Sequence, residues 1–280
     1  MKPIAVMITV RNRLALTKKC IQTLYKSTRR PIHLFVYDNC TSYKIKEHFD
    51  YFSELYETGV LQKYVVNTFE STYNAFSKVV AFNEFGRTIL ENPIANRYEF
   101  LVLLDNDMMM VKDNWDDIII DMWRGIDSEE ELRDMIHIVT QWPNGCTSAQ
   151  TGEFHIGDEN YKLQLGYTSG SCFWCFRDSF FKKVGFLNPN NVVGQNKKHD
   201  QLYWHKMRAI NNHKPYILAV EEDLVVTYDN YKDINLSICD PSQFDPQKEI
   251  TFKEVDDTID KMPYDSFMNL LRNNIEQFKP

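Results

Sequence analysis

The chain has 280 residues, of which 43% are hydrophobic and 25% are charged, and its formal net charge is −7. This is the balance of a globular protein rather than a disordered one, and the length allows one large hydrophobic core. The negative charge argues against binding of nucleic acid by bulk attraction to phosphate, although basic clusters stand at residues 26–30 and 196–199. The first apolar run is too short for a signal peptide or a membrane span, so we expect a soluble, cytoplasmic protein.

The first hundred residues alternate between strand-like and helix-like patterns. Short apolar runs predict strands at Ile4–Val10, His33–Tyr37, Leu61–Val66 and Phe100–Leu104. Helical spacing predicts helices between them, at Leu14–Tyr25, Tyr43–Tyr56 and Thr72–Leu90. This alternation predicts βαβ units and an α/β fold with a mainly parallel central sheet flanked by helices.

The pattern is less regular after residue 110. The predicted elements are a helix at Trp115–Gly125, a strand at Ile136–Thr140, a hairpin within Asn144–Gly166, a strand at Gly170–Phe176, and helices at Asp178–Val184 and Asp200–Asn211. Residues 241–280 are expected to form an appended C-terminal tail with a helix at Tyr264–Phe278. The sequence has no internal repeat or clear linker, so we interpret residues 1–240 as one domain.

The six cysteines do not indicate a zinc or redox site. Only Cys172 and Cys175 are close together, and no second pair completes the usual ligand set of a zinc site. Their apolar neighbours are typical of a buried strand, so we interpret both as small core residues.

Polar residues follow three of the predicted strands, at residues 9–12, Asp38-Asn39 and Asp105-Asn106-Asp107. Because ligands of parallel α/β sheets bind beyond the carboxyl ends of the strands, these clusters predict one site at that edge. Two carboxylates two positions apart can share one hard divalent cation, which would neutralise a bound diphosphate. The alternative interpretation is a simple turn, since Asp and Asn are common turn residues.

Several segments together resemble family 2 of the GT-A glycosyltransferases. They are Thr-Val-Arg-Asn-Arg at residues 9–13, Phe-Val-Tyr-Asp-Asn-Cys-Thr-Ser at 35–42 and Leu-Leu-Asp-Asn-Asp at 103–107. The resemblance continues through Asn83, the segment 170–186 and His199-Asp200, and it covers about residues 4–210. It implies a GT-A type, Rossmann-like fold in which residues 1–110 bind a nucleotide-sugar donor and residues 111–240 form the acceptor half.

The resemblance also implies roles for individual residues. Asp105 and Asp107 would be the metal ligands for Mn²⁺ or Mg²⁺. Donor contacts would come from Thr9, Arg11, Asn12, Asp38, Asn39, Asn83, Asp105 and Asn106, with Arg13 an alternative to Arg11 beside the diphosphate. A uridine diphosphate sugar is the default donor by family habit. For Asp38 and Asn39, a capping or turn pair before the next helix is the competing interpretation.

On the acceptor side, the resemblance implies that Asp200 is the general base of an inverting hexosyl or pentosyl transfer, where a carboxylate takes the proton of the acceptor hydroxyl. An N-cap role is the alternative, since Asp200 precedes a predicted helix. Trp174, His199 and Trp204 are candidate acceptor contacts, although aromatic side chains are more often core residues. The acceptor itself is open among a glycan, a lipid-linked sugar, a protein side chain and a hydroxymethylated DNA base.

One departure from the family concerns the third metal ligand. The family often supplies a histidine after a late strand, whereas the matching stretch here, residues 223–229, contains none. Tyr228, Asp229, His205, His213 or water are the candidates to replace it.

Two competing classes, nucleotidyltransferases and Rossmann dehydrogenases, usually need a glycine-rich loop after the first strand, and residues 9–13 have no glycine. A non-catalytic nucleotide- or sugar-binding protein remains an alternative.

Overall fold

The structure, a computed structural model, describes residues 1–39, 41–67, 74–91, 97–141, 147–156, 159–168, 172–190, 199–227 and 252–277. The alternating first half that the sequence predicts is confirmed. Its strands are β1 (Ile4–Val10), β2 (Ile32–Asn39), β3 (Leu61–Asn67) and β4 (Leu101–Asp105). Its helices are α1 (Leu14–Ser27), α2 (Ile45–Glu57) and α3 (Asn74–Leu90).

The second half also contains the predicted hairpin, together with elements that the sequence did not predict. In chain order it consists of β5 (Met108–Met110), α4 (Trp115–Ser128), α5 (Glu130–Met135), β6 (Ile138–Gln141), β7 (Thr147–Ile156), β8 (Glu159–Thr168), β9 (Phe173–Phe176), α6 (Ser179–Val184), α7 (His199–Ile210), β10 (Ile217–Val220), β11 (Val225–Thr227), α8 (Phe252–Asp260) and α9 (Tyr264–Gln277). The unpredicted elements are β5, α5, β10, β11 and α8.

Nine of these strands form one sheet in the order β3-β2-β1-β4-β9-β6-β10-β8-β7. The first four strands are parallel, as the βαβ pattern predicts. The second half is mixed. Strand β9 lies antiparallel to both β4 and β6, and β8 lies antiparallel to β7 and β10, whereas β6 and β10 are parallel. The expectation of a mainly parallel sheet therefore holds for the half that carries the polar strand ends.

Strand β1 lies at the centre of the parallel half, and every one of its residues is buried. Its alternate side chains enter two core clusters on opposite faces of the sheet. Val6 and Ile8 pack in one cluster with residues of α1 and α4, and Met7 packs in the other with residues of α3, α6 and α7. A strand buried on both faces explains why its sequence is continuously apolar.

The C-terminal helices pack against the parallel half of the molecule. Phe267, Met268 and Leu271 of α9 are buried in the same cluster as β1 and α1. The segment expected as an appended tail therefore contributes side chains to the main core. Among the described residues, no helix is both long enough and apolar enough to span a bilayer.

Candidate functional site

The polar ends of β1, β2 and β4 meet at one edge of the sheet, as predicted. Strand pairing sets Thr9 beside Asp105 on one neighbour and Val10 beside Asp38 on the other. The hydroxyl of Thr9 donates a hydrogen bond of 3.1 Å to Oδ1 of Asp105. Three segments far apart in the sequence are thus brought together by the parallel register.

Two cationic side chains neutralise the two aspartates of the turn after β4. The ammonium of Lys78 lies 2.8 Å from Oδ2 and 2.5 Å from Oδ1 of Asp105. The guanidinium of Arg13 donates a hydrogen bond of 2.8 Å to Oδ2 of Asp107. Both pairs are largely shielded, with side-chain exposures of 14% and 27% for the first and 21% and 12% for the second. Each of the two carboxylates thus has a cationic partner from another part of the chain.

Asn106, between the two aspartates, is buried and fixes the turn to helix α1. Its amide donates a hydrogen bond of 2.9 Å to the hydroxyl of Thr17, which in turn donates one of 2.9 Å to the carbonyl of Arg13. The same Arg13 pairs with Asp107. The middle residue of the motif therefore orients the loop, and its amide is directed to α1.

The donor set suits a hard divalent cation in part. Asp105 and Asp107 offer carboxylate oxygens, which Mg²⁺ and Mn²⁺ prefer, and both stand on one short turn. Within the described residues, no group of three or more His, Cys, Asp or Glu side chains is arranged to hold a metal ion. Two protein carboxylates fit a cation that takes its other ligands from a phosphate and water. Tyr228 and Asp229 lie outside the described residues.

The turn between β1 and α1 has an unusual backbone. Asn12 and Arg13 both have φ of 56°, in the left-handed region that non-glycine residues seldom adopt. The side-chain oxygen of Asn12 accepts hydrogen bonds of 2.9 Å and 3.0 Å from the backbone amides of Ser42 and Tyr43. The backbone amide of Asn12 donates a hydrogen bond of 3.1 Å to the hydroxyl of Thr41. Asn12 therefore joins the loop after β1 to the loop after β2. Strain of this kind is common at binding sites.

Asp38 is buried at the end of β2, and its two oxygens have different partners. Oδ1 accepts a hydrogen bond of 2.9 Å from the amide of Thr41, and Oδ2 accepts one of 3.3 Å from the hydroxyl of Tyr64. The first contact is a turn hydrogen bond, as in the alternative that the sequence left open, but Asp38 does not cap helix α2, whose N-cap residue is Lys44. Burial lowers the pKa of the nearby His48, while the charge of Asp38 opposes that effect.

Beside Asp38, polar atoms are buried without a protein partner in the described part of the chain. They are the side-chain oxygen of Asn39 and both ring nitrogens of His48. Such atoms are costly to bury, and a bound polar ligand or water satisfies them. Arg11, which follows β1 directly, is exposed at the same edge of the sheet.

Two of the predicted site residues lie inside the fold. Trp174 is fully buried and packs edge-on against Tyr203, with ring centroids 6.1 Å apart. Asn83 is also buried, and its amide exchanges hydrogen bonds of 2.7 Å and 3.2 Å with the backbone of Leu187. These contacts are those of packing residues, so the expectation that Trp174 and Asn83 touch ligands receives no geometric support.

The remaining predicted residues belong to helix α7. His199 and Asp200 form its first turn, and their side chains lie outside the described residues. Trp204 is half-buried one turn further along. The predicted helix start at Asp200 is thus confirmed to within one residue.

Sequence reasoning did not single out Lys78. In a βαβ unit the helix before a strand begins at the carboxyl edge of the sheet, because it runs antiparallel to that strand. Lys78 lies in the second turn of α3, so its ammonium reaches the end of β4. The available signal was a lysine in the second turn of a predicted helix that precedes the strand ending at Asp105.

Of the two neighbouring cysteines, Cys175 is fully buried and Cys172 is partly buried. Burial, reinforced by the charge of Asp105, raises the pKa of the Cys172 thiol to about 12. Burial also raises the pKa of Cys175 well above its ordinary value. The backbone carbonyl of Cys172 accepts a hydrogen bond of 2.9 Å from the amide of Asp105. The interpretation as a small core residue is confirmed for Cys175, and Cys172 packs partly buried against the same core.

No protein-family model and no curated protein sequence matches the chain. Solved structures do match it. GalNAc-T7 in complex with UDP, GalNAc and Mn²⁺ has a TM-score of 0.53 and 13% identity, covering 100% of this chain and 59% of that one. The mannosyltransferase PcManGT from Pyrobaculum calidifontis, in complex with GDP-Man and Mn²⁺, has a TM-score of 0.51 and 11% identity, covering 98% and 74%.

TarS of S. aureus has a TM-score of 0.50 and 15% identity. The match covers 92% of this chain but only 42% of TarS, so the chain spans less than half the length of that protein. At such low identities the likeness concerns the fold, and it agrees with the central sheet and its flanking helices described above. The chain therefore has the GT-A glycosyltransferase fold.

Proposed function

We propose that this protein is a metal-dependent glycosyltransferase that moves a sugar from a nucleoside diphosphate to an acceptor hydroxyl. The observation that carries the proposal is the meeting of Asp105 and Asp107 with Thr9 and Asp38 at the carboxyl edge of a GT-A sheet. Two fold neighbours were solved with Mn²⁺ and a nucleotide or nucleotide sugar, which favours the same ligand class here.

Asp105 and Asp107 are the proposed metal ligands. When bound, Mn²⁺ or Mg²⁺ would neutralise charge on the diphosphate, both in the donor and in the leaving group. The guanidinium of Arg13 and the ammonium of Lys78 lie at these carboxylates, so we propose them as protein cations for phosphate oxygens. Arg11 at the same edge adds a further positive charge.

The nucleoside is proposed to bind at the ends of β1 and β2. Asn39 offers a buried side-chain oxygen without a protein partner in the described residues, which suits an N–H group of a nucleobase. Asp38 and Asn12 shape this region through their hydrogen bonds to residues 41–43. A uridine nucleotide is the first donor to test, and the proposal does not depend on the identity of the base.

Asp200 is the proposed general base, acting on the acceptor hydroxyl in a single displacement with inversion. Asp200 lies in the first turn of α7, so its carboxylate would lie near the N-terminus of that helix. His199 and Trp204 of the same helix are the proposed acceptor contacts. We assign Trp174 and Asn83 to packing, because both are buried and contact other core groups. The acceptor is proposed only as a hydroxyl-bearing glycan, lipid-linked sugar, protein or hydroxymethylated DNA base.

Calorimetric titration of nucleoside diphosphates and nucleotide sugars, with and without Mn²⁺, tests the donor site. We expect binding that requires the metal and is lost in Asp107→Asn. The matched control is Asp117→Asn, which removes the same charge on helix α4, where Asp117 pairs with Arg29 and Arg30. Binding that is indifferent to both metal and Asp107 would contradict the proposal.

Turnover separates a transferase from a protein that only binds nucleotides. The wild-type protein should slowly hydrolyse the nucleotide sugar that it binds, since water can replace an acceptor hydroxyl. Asp200→Asn should retain donor binding and lose this hydrolysis. A protein that binds the donor tightly and never turns it over would be the non-catalytic alternative.

A further inference from the structure

Helix α1, which begins beside the proposed donor site, is not capped by its own sequence. Its N-cap residue is Arg13, which has a left-handed backbone and makes no side-chain capping bond. The first amides of a helix need acceptors from elsewhere. Here Oδ1 of Asp256, 241 residues further along the chain, accepts a hydrogen bond of 2.8 Å from the amide of Ala15. The cap of α1 is therefore supplied by helix α8.

The same helix α8 also holds the loop after β2. The ammonium of Lys44 lies 3.6 Å from Oδ2 of Asp256 and 2.6 Å from Oδ1 of Asp257. The hydroxyl of Tyr43 donates a hydrogen bond of 3.2 Å to Asp257. Lys44 occupies the N-cap position of α2 with φ of 51°, and it also makes no side-chain cap of its own. Two adjacent aspartates thus contact the starts of two helices.

The segments that α8 contacts are those that carry the proposed donor contacts. Arg13, at the start of α1, pairs with Asp107. Residues 41–43 contact Asn12 and Asp38 through the hydrogen bonds described above. A displacement of α8 would therefore be passed to both the diphosphate side and the nucleoside side of the site.

Asp256 is unusual for a residue with only a packing role. Its side chain is fully buried, and Oδ2 has no hydrogen-bond partner in the described part of the chain, although the Lys44 ammonium lies nearby. Burial raises the pKa of its carboxyl group, and the amides of Ala15 and Leu16 and the charge of Lys44 oppose that shift. A buried carboxylate is costly, so an apolar residue at this contact would be the cheaper way to pack the two helices.

The C-terminal helices are held on α1 at several further points. The Lys19 ammonium donates a hydrogen bond of 2.8 Å to the carbonyl of Met262, and the Lys26 ammonium lies 3.6 Å from the centre of the Tyr264 ring. Phe267 is fully buried against the same helix region. These contacts hold helix α9 and the turn that follows α8 against α1, and this limits the movement of the aspartates of α8.

We propose that Asp256 is a positioning residue of the donor site, and that helix α8 holds the start of α1 and the loop 41–44 in the geometry that binds the nucleotide. This inference rests on the proposed function. Asp256 acts through Arg13 and the loop 41–44, which themselves contact the site.

Two measurements on the full chain test the proposal. Hydrogen exchange of the apo protein follows the amides of residues 14–17 and 41–44 without any ligand. Titration with the best-binding nucleoside diphosphate and Mn²⁺ measures the affinity. The variants are Asp256→Ala, Asp256→Asn and the milder Asp257→Asn, and the control is Asp265→Asn, an exposed aspartate on α9.

For Asp256→Ala we expect exchange to rise about five- to tenfold in both segments, because loss of a helix cap typically destabilises a helix by about that factor. The nucleotide should bind about five- to tenfold more weakly, because the loosened segments carry Arg13 and the loop 41–44. Asp256→Asn keeps an acceptor for Ala15 and loses the charge facing Lys44. In Asp256→Asn, the amides of residues 14–17 should therefore exchange as slowly as in the wild type, whereas those of residues 41–44 should exchange faster than in the wild type. Asp257→Asn should affect only 41–44, with a two- to threefold weaker nucleotide affinity, and Asp265→Asn should match the wild type.

The outcomes separate this inference from the proposed function. If the wild type binds no nucleotide, the proposed function fails, and the positioning role fails with it. If the wild type binds and the folded Asp256 and Asp257 variants bind equally well, the positioning role alone is wrong, whatever their exchange rates. If Asp256→Ala does not fold, the Asp256→Asn and Asp257→Asn comparison decides.

Discussion

Replacement of Lys78 by glutamine tests how the two cations of the site relate to the proposed metal. Lys78 contacts both carboxylate oxygens of Asp105, which are the atoms that a divalent cation would use. In the absence of nucleotide, the ammonium and the metal therefore compete for the same oxygens. We expect Lys78→Gln to bind Mn²⁺ more tightly than the wild type when no nucleotide is present.

The expected size follows from the environment of the pair. Two unit charges about 4 Å apart attract by about 4 kcal/mol at an effective dielectric constant of about 20. Solvent screening and desolvation remove much of this, and measured exposed pairs contribute less than about 1 kcal/mol. The Lys78–Asp105 pair is largely shielded, with exposures of 14% and 27%. A net value of about 1–2 kcal/mol corresponds to a roughly tenfold gain in Mn²⁺ affinity.

Titration of Mn²⁺ followed by the electron paramagnetic resonance of the free ion measures this directly. Lys63→Gln is the matched control, because Lys63 pairs with Glu84 of the same helix α3 and its loss changes the net charge equally. Weaker or unchanged Mn²⁺ binding in Lys78→Gln would refute the competition. Weaker binding would mean instead that Lys78 holds Asp105 in a metal-binding geometry, and unchanged binding that Lys78 does not influence the metal.

Three other predictions concern the stability of the fold. Gly86→Ala should lower the free energy of unfolding by about 1–2 kcal/mol despite the better helix propensity of alanine, because an added Cβ would lie 2.6 Å from ring atoms of the buried Phe181. Urea denaturation measures this free energy, and a gain in stability would contradict the close packing. Asp116→Asn removes a fully buried charge paired with Arg30 and should lower the free energy of unfolding by about 3 kcal/mol. Asp117→Asn removes a charge that is 34% exposed and should lower it by less than about 1 kcal/mol. Equal losses would be inconsistent with this difference in burial. Burial, with the charge of Lys183, lowers the pKa of His137 to about 4 from an ordinary 6.5. As pH falls, the unfolded state therefore takes up a proton at this histidine before the folded state does. The free energy of unfolding consequently decreases as pH falls from about 6.5 towards about 4. The loss between about pH 7.5 and about pH 5 is roughly 2 kcal/mol, and it should be smaller in His137→Gln.

The sequence predicts the parallel half of the fold because local pattern and tertiary role agree there. Ile4–Val10 is apolar throughout because both of its faces are covered, and the residues that follow are polar because they leave the sheet at its binding edge. The convergence of Thr9, Asp38 and Asp105 then follows from parallel pairing alone. Here a one-dimensional pattern was sufficient.

The other features depend on contacts between residues far apart in the sequence. Strand β5 consists of three methionines, which is too short to show the alternating pattern of a strand in the sequence. It forms because it pairs with β11, more than a hundred residues later. The antiparallel direction of β9 depends on its insertion between β4 and β6. The ion pair of Lys78 and the capping role of Asp256 span 27 and 241 residues. No local periodicity reports such pairings.

The two aspartates of the site are held by different parts of the molecule, and this has a thermodynamic consequence. Asp105 is contacted by Lys78 from α3, whereas Asp107 is contacted by Arg13 at the start of α1, which Asp256 caps from α8. If the two supports act independently, Lys78→Gln and Asp256→Ala should change the nucleotide affinity by amounts that add, within about 0.5 kcal/mol, in the double variant. If the whole turn moves as one unit through Asn106 and Thr17, the second substitution should cost much less than it does alone. A double-mutant cycle on nucleotide binding distinguishes these cases, and an additive result would mean that each carboxylate can be tuned separately by its own helix.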